Sequence, residues 1–482
     1  MSADLVFVFI ILLAIGGSLT ALPRLLRRSS GKFSQPFLRN LAHSVSLVLC
    51  AFTVHVVDEE WVLVVSGFMA FLLLIAAVEL RLIADVMDGL RFRDYGFAAS
   101  AAGFVAAVLL FWPQKNLIIG ALLIAGLADP IASTVGRHYG RHIIGAWGTL
   151  RSLEGSIAFA SIAFAVSLVF FYAAGSLTYR AIGVSLFVSF TATELELILP
   201  SVADNIAIPL WSAFLFVLTT RHIVSPSRWA IAAGACAITA AGSHRLRWLD
   251  AAGAVAASLV GAIVIGLGGW AWFVPIFVFF VATSLLTQVK LAPKSAKEIR
   301  GIRQVFAKGI IPILPVLGYA LRGSAVWYFL YVGAVAAANA DTFATEVGQL
   351  AGRAPISLRT FRTVPPGTSG AITPLGTFAS VIGGALIGAV AAIVGPAERR
   401  REVFLAGAIV GPLGSIIDSM MGAWFQGRYQ CNACGAIAEE AQHCSVSAVS
   451  LSGLRGISND VVNGLTNAMA MLISLIFFYT IR

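Results

Sequence analysis

Charge is scarce in this chain. Only 12% of its 482 residues are Asp, Glu, Lys or Arg, against about 25% in an ordinary soluble domain. Apolar residues make up 59%, and the mean hydropathy is +0.89. No single soluble core hides so much apolar surface spread over a whole chain, which disfavours a soluble enzyme and a disordered protein alike. Cysteine is scarce too: five in the whole sequence are too few for a disulfide scaffold. The apolar runs lack the alternation of barrel strands, which disfavours a β-barrel. What remains is an all-α polytopic membrane protein.

A spanning helix needs about 20 mostly apolar residues. Such runs occur near 4–22, 40–57, 61–79, 96–112, 116–135, 155–175, 180–198 and 203–220. A second series follows near 226–242, 248–268, 271–289, 309–321, 325–340, 371–395, 402–425 and 460–481. The expectation is sixteen transmembrane helices in two tandem bundles, residues 1–222 and 223–482, joined near 221–228. The first run lacks a basic leader and is followed by Arg24, Arg27 and Arg28, so it reads as a retained span rather than a cleaved signal. With the N-terminus outside, most of the 33 lysines and arginines fall in cytoplasmic connections. That topological rule also explains the basic net charge without any nucleic acid partner. The segment 290–308 reads as an amphipathic stretch on anionic lipid.

Acids inside apolar segments are expensive and usually functional. Asp129, Glu154, Glu194, Glu196, Asp204, Asp250, Asp341, Glu346, Asp418 and Asp460 lie in or beside the expected spans. Most fall at the cytoplasmic ends, with glycines and arginines close by. Acids can hold Mg²⁺, while Arg and helix N-termini can hold phosphate. Phosphoryl transfer needs both at one place, because its catalysis is positioning and charge neutralisation.

The pattern occurs twice. Residues 128–141 read ADPIASTVGRHYGR, and 340–353 read ADTFATEVGQLAGR. Asp129/Asp341, Gly136/Gly348, Gly140/Gly352 and Arg141/Arg353 match without a gap. Each pattern is followed by a small-residue turn, at 151–156 and at 365–370, suited to capping a helix or meeting an anion. Each half also has an acid–amide pair, Asp204-Asn205 and Asn459-Asp460. Two tandem copies of one phosphate-handling fold are expected.

At these residues the first half resembles the phytol kinase/dolichol kinase group of CTP-dependent polyprenol kinases. The likeness runs through Asp129-x-x-Ala132-x-x-x-Gly136-Arg137-x-x-Gly140-Arg141-His142, Arg151-Ser152-x-Glu154-Gly155-Ser156, Glu194 and Asp204-Asn205-x-x-x-Pro209. That group usually has Gly-Asp for Ala128-Asp129 and Lys for Arg151. The second half resembles the DUF92-type membrane family that includes phytyl-phosphate kinase. Its motifs are Arg303-Gln304-Val305, Ala340-Asp341-Thr342-x-x-x-Glu346-x-Gly348 and Val364-Pro365-Pro366-Gly367-Thr368-Ser369-Gly370. They continue with Gly414-Ser415-x-x-Asp418-Ser419-x-x-Gly422-Ala423-x-x-Gln426, Cys431-x-x-Cys434 with His443-Cys444, and Asn459-Asp460-x-Val462-Asn463. The family generally has Asn-Gly where this chain has Lys308-Gly309.

The two resemblances together imply a bifunctional salvage kinase. It would phosphorylate an isoprenoid alcohol (phytol, geranylgeraniol or farnesol) and then the isoprenyl monophosphate, with CTP or another nucleotide as donor. Asp129 and Asp341 are expected to hold Mg²⁺ or orient the nucleophile, with Asp204 and Asp418 as further Mg²⁺ ligands. Glu154, Glu346 and Asp460 join Asp204 and Asp418 as second metal-site or base candidates. Arg137, Gly140, Arg141, Arg151, Ser152, Gly155 and Asn205 are expected at the nucleotide in the first half. In the second half the candidates are Arg353, Gly367, Thr368, Ser369, Gly370, Asn459 and Asn463. The active sites are placed on the cytoplasmic face. Cys431, Cys434, His443 and Cys444 suit a structural Zn²⁺, with a packed or redox-sensitive loop as the alternative. Cys50 and Cys236 are expected to be inert packing residues. The competing functions are a transporter or flippase of an anionic lipid, and a lipid cytidylyltransferase.

Overall fold

The computed structural model describes residues 3–30, 34–82, 95–220, 225–288, 299–352, 354–435, 437–438, 442–444 and 446–480. Among them are sixteen α-helices in two compact units, Met1–Ala237 and Ile238–Arg482. The first unit contains α1 (Ala3–Ser30), α2 (Gln35–Val56), α3 (Glu60–Glu79), α4 (Gly96–Phe111), α5 (Lys115–Tyr139), α6 (Leu153–Ala173), α7 (Tyr179–Ile198) and α8 (Asp204–Thr220). The division between units falls inside α9 (Pro226–Arg245). The second unit contains α10 (Ala251–Ile263), α11 (Trp270–Gln288), α12 (Ile302–Arg322), α13 (Val326–Gly348), α14 (Pro374–Val394), α15 (Arg400–Trp424) and α16 (Asn459–Thr480).

Twelve of the helices are long and apolar enough to cross a membrane, fewer than the sixteen spans expected. Helices α4 and α8 are apolar but short. Helix α13 misses the apolar criterion although it is the centre of its unit, because Asn339 and Asp341 interrupt its run. It is buried from Tyr328 to Ala340 by α12, α14, α15 and α16, so protein rather than lipid surrounds it. In the first unit α5 is central, packed by α2, α6 and α8.

Both units repeat one construction. Helix α5 leads through the hairpin of β1 (Ile143–Ala146) and β2 (Thr149–Ser152) into α6. Helix α13 leads through β3 (Ile356–Ser357) and β4 (Ala371–Ile372) into α14. The Ser152 hydroxyl accepts the Gly155 N–H at 3.1 Å, and the Thr373 hydroxyl accepts the Gly376 N–H at 3.0 Å. These caps satisfy an orphan donor at each helix start. A Cβ on Gly155 would stand 2.8 Å from the Ala132 carbonyl oxygen, and one on Gly376 would stand 2.7 Å from that of Ala344. Ala132 and Ala344 are matched positions of the sequence repeat, as are Gly136 and Gly348, which face the two caps. The contacts α4–α8, α5–α6, α6–α7, α7–α8 and α5–α8 recur as α12–α16, α13–α14, α14–α15, α15–α16 and α13–α16. One correspondence differs from the sequence expectation. The counterpart of the 151–156 turn is the cap at 372–377, and the 365–370 turn belongs to the preceding connection.

Small residues set the helix spacing in the second unit, as is usual where lipid removes the hydrophobic drive between helices. Gly384 and Gly388 on α14 face Gly407 and Gly411 on α15 so closely that a Cβ on Gly407 would lie 2.4 Å from the Gly388 Cα. Replacement Gly407→Val therefore forces backbones apart. It should cost about 2 kcal/mol or more and lower the thermal midpoint in detergent. Gly234→Val, where nothing lies within 4 Å of the added Cβ, should leave that midpoint far less changed.

Candidate active sites

Asp129 and Asp341 each stand seven residues before the matched glycines Gly136 and Gly348. That is about 10 Å of helix rise before those glycines, which lie at or within a turn of the hairpin ends of α13 and α5. The end of α7 and the start of α8 lie at the same end of the first unit, since the chain reverses at each connection. The end of α15 and the start of α16 are placed likewise in the second.

In the first unit three carboxylates converge on one cation. The Arg151 guanidinium, on β2, pairs with Glu196 of α7 and with Asp204, the first residue of α8. Its Nη1 also lies 3.5 Å from Asp129 Oδ1. The Ser156 hydroxyl reaches Glu196 at 3.5 Å. Glu196 and Asp204 are 2% and 1% exposed, so water does little to screen them. Burial pulls the Arg151 pKa down, but Glu196, Asp204 and Asp129 outweigh it and the net shift is upward, favouring the charged guanidinium.

The second unit builds a smaller version with its cation on another element. Lys308 of α12 donates to Asp341 Oδ2 and to the Thr342 hydroxyl, both at 2.8 Å. Asp418 of α15 is within electrostatic reach of both Lys308 and Asp341. It accepts from the Thr466 hydroxyl of α16 at 3.1 Å. Carboxylate and hydroxyl oxygens are the hard donors that Mg²⁺ takes, but among the described residues neither cluster brings three acids within 4.8 Å of one another.

Several expected site residues are committed elsewhere. Glu154 accepts from the backbone N–H of Arg141 at 3.0 Å and pairs with the His142 ring at 2.7 Å, tying the hairpin to the α6 start. Asn205 donates to the Gly96 and Ser201 carbonyls, joining α8 to α4. Arg137 turns back along its own helix to Ser133. Glu346 accepts from Thr287 of α11 at 2.9 Å. Asn463 is buried near the start of α16, whereas Asn459 is exposed and Asp460 half-buried at its first turn. In the 365–370 turn, Thr368 donates to the Pro365 carbonyl, and the Ser369 hydroxyl bonds the Gln426 side chain. Gly367 and Gly370 hold positive φ, 82° and 73°, which favours glycine. The 365–370 turn is thereby held against the end of α15, through Gly370 on Ala423 and Ser369 on Gln426. Arg353 lies outside the described residues.

Sequence reasoning passed over Glu196 and Lys308 as site residues. Glu194 and Glu196 are two residues apart on a helix and point to different sides, so only packing selects Glu196. Lys308 closes the basic segment 290–308, yet a lysine six residues into a helix of a membrane bundle is the same signal as an acid there.

The fold and these clusters define a class: a polytopic α-helical membrane protein whose two units each gather carboxylates around an arginine or a lysine. Within that class, the chain belongs to the integral membrane protein family DUF92, which matches residues 234–471. This is the family expected from the motifs of the second half; residues 1–233 lie outside the match. The uncharacterised membrane protein MJ0933 of Methanocaldococcus jannaschii is 32% identical over 215 residues, 44% of this chain and 85% of that protein. Protein PGR of Arabidopsis thaliana is 29% identical over 214 residues, 38% of this chain and 74% of the relative. The chloroplastic protein VTE6 of the same plant is 25% identical over 242 residues, 47% of this chain and 65% of the relative. No solved structure matches the chain significantly.

Removing the arginine tests the first cluster. Arg151→Met leaves buried carboxylates without their partner and should cost about 3–5 kcal/mol, read as a lower unfolding midpoint in detergent. Arg151→Lys, which keeps the charge, should recover part of that loss. A Met variant as stable as the parent would mean that the three acids do not depend on Arg151.

Proposed function

We propose that the protein is a membrane phosphotransferase of isoprenoid salvage, with one site in each unit. The first site would phosphorylate an isoprenoid alcohol and the second its monophosphate, each with CTP or another nucleoside triphosphate as donor. The observation that carries this reading is the pair of cation-centred carboxylate clusters at the hairpin ends of two like-built units. The motif resemblance to polyprenol kinases in the first half and to the phytyl-phosphate kinase family in the second supports the substrate class.

The geometry suits the reaction. An isoprenoid chain is as apolar as the helices around it and can lie along the bundle, leaving its hydroxyl or phosphate near the hairpin end. Mg²⁺ held by Asp129 and Asp204, or by Asp341 and Asp418, would neutralise the phosphates of the incoming nucleotide. Arg151 and Lys308 lie beside those acids and would pair with phosphate oxygens as carboxylate contacts are given up. The backbone N–H groups at the capped starts of α6 and α14 add further donors for phosphate. At the first site a carboxylate takes the proton of the attacking alcohol oxygen, and at the second a phosphate oxygen of the monophosphate attacks; in each the γ-phosphoryl moves to that oxygen and the nucleoside diphosphate leaves. We place this hairpin end on the cytoplasmic side, where nucleotide is available and where Arg137 and Arg141 of the first unit and Arg359 and Arg362 of the second accumulate.

Purified protein with labelled nucleotides, phytol, geranylgeraniol, farnesol and their monophosphates tests the reading. Asp129→Asn should abolish phosphorylation of the alcohol and spare that of the monophosphate, and Asp341→Asn should do the reverse. Release of pyrophosphate in place of nucleoside diphosphate would indicate a cytidylyltransferase. Transfer to none of these acceptors would overturn the proposal.

A further inference from the structure

Between α15 and α16 the second unit carries a small sheet in the order β6 (Ile437–Ala438), β5 (Arg428–Cys431), β8 (Val446–Ser452), β7 (Gln442–His443). We propose that Cys431, Cys434 and Cys444 bind one Zn²⁺ ion, and that this ion holds the sheet, and through it Arg428, against the 365–370 turn.

The three sulfurs converge from two separate turns and lie within 4.8 Å of one another. The first turn is Cys431-Asn432-Ala433-Cys434-Gly435, closed by the Gly435 N–H on the Cys431 carbonyl at 2.9 Å. Gly435 takes φ +70°, so the chain turns back sharply and both thiols face one way. The second turn joins β7 to β8 and places Cys444 at φ +52°, a backbone conformation that a non-glycine residue rarely adopts. The Asn432 side chain donates to the Ser447 carbonyl at 3.2 Å, fastening the first turn to β8.

The sulfur spacing matches joint ligation of one ion and is too long for a formed disulfide. The Cys434 and Cys444 sulfurs are 3.7 Å apart. Two thiolates on a tetrahedral zinc, each about 2.3 Å from the ion, stand about 3.8 Å apart. A disulfide would use two of the sulfurs and leave the third, on buried Cys431, without a role; an ion uses all three. Thiolate is a soft ligand and selects zinc over the hard cations of the carboxylate clusters.

The sheet also needs a staple. Along β8, Val446, Val449 and Leu451 are 38%, 54% and 50% exposed, so the strand contributes almost nothing to a core. Small elements without a core are commonly held by metal, and the binding energy then becomes folding energy. Arg428 opens the strand that ends in Cys431, and its guanidinium donates to the Ser369 carbonyl. Ordering β5 at the cysteine end therefore fixes the turn at the other. The side chain of His443, the fourth ligand expected from the sequence, lies outside the described residues, and the proposal rests on the three thiols.

Metal content tests this without any assay of phosphate transfer, so its failure and that of the kinase reading are distinguishable. Full-length protein purified in detergent without chelator should carry one zinc per chain by mass spectrometry of the metal. A mercurial thiol reagent should release that zinc, and cobalt substitution should give thiolate charge-transfer absorption. Cys431→Ser with Cys434→Ser should lose the ion, whereas Cys50→Ser with Cys236→Ser should keep it. Stripping zinc from the unaltered protein should expose the 428–452 segment to protease ahead of the helices. Folded wild-type protein with zinc well below one per chain would overturn the proposal. So would zinc that survives the Cys431/Cys434 change, or a Cys434–Cys444 disulfide.

Discussion

A carboxylate inside a bilayer-spanning bundle must have a positive partner, and the interior of this protein is arranged around that requirement. Arg151 meets it for Glu196, Asp204 and Asp129, and Lys308 does so for Asp341, with Asp418 close by. In low dielectric such a cluster is highly destabilising unless each charge is answered. The helices that carry the acids are therefore held in fixed register: α5, α7 and α8 by a side chain on β2, α13 and α15 around a side chain on α12. Each cluster gathers two or three carboxylates beside its cation, at the end of its unit where a capped helix begins.

The two units satisfy the requirement with one scaffold and different cations. The helix, hairpin and capped helix recur down to the carbonyls of Ala132 and Ala344 beneath Gly155 and Gly376. The cation does not recur: Ile372 holds the place of Arg151 beside the cap, and the positive charge comes from α12 instead. The shared construction fixes the backbone frame, because the matched glycines leave no room for a Cβ. A counter-charge can arrive from any neighbouring helix, because electrostatic attraction is less directional than packing. Membership of the DUF92 family is established through residues 234–471, so the family relation and the better-defined glycine turn both lie with the Lys308 cluster.

Much of the membrane architecture can be read from composition. The long apolar runs locate the helices within a few residues, as at 371–395 for α14, and the repeated Asp–Gly–Gly spacing marks the two elements that carry the first acids. The run at 325–340 shows the limit of hydropathy: it forms α13, which is enclosed by other helices and so can carry Asn339 and Asp341. The candidate site was legible where a residue type is improbable in its surroundings, as with Asp129, Asp204, Asp341 and Asp418. It was not legible where chemistry depends on direction. Glu154 and Asn205 look as functional in sequence as Asp204, yet they fasten a hairpin and a helix pair.

The sequence by itself determined that this chain lives in a membrane, because 12% charge and long apolar runs admit no other solvent. It also determined that the fold is helical and that two matched acids stand at fixed distances from matched glycines, since those follow from local spacing alone. Only the tertiary structure decided which cation each acid meets, which of Glu194 and Glu196 faces the cluster, and that three cysteines from two turns converge. Those are contacts between residues far apart in the chain, and their partners are set by helix packing and strand register rather than by any local pattern.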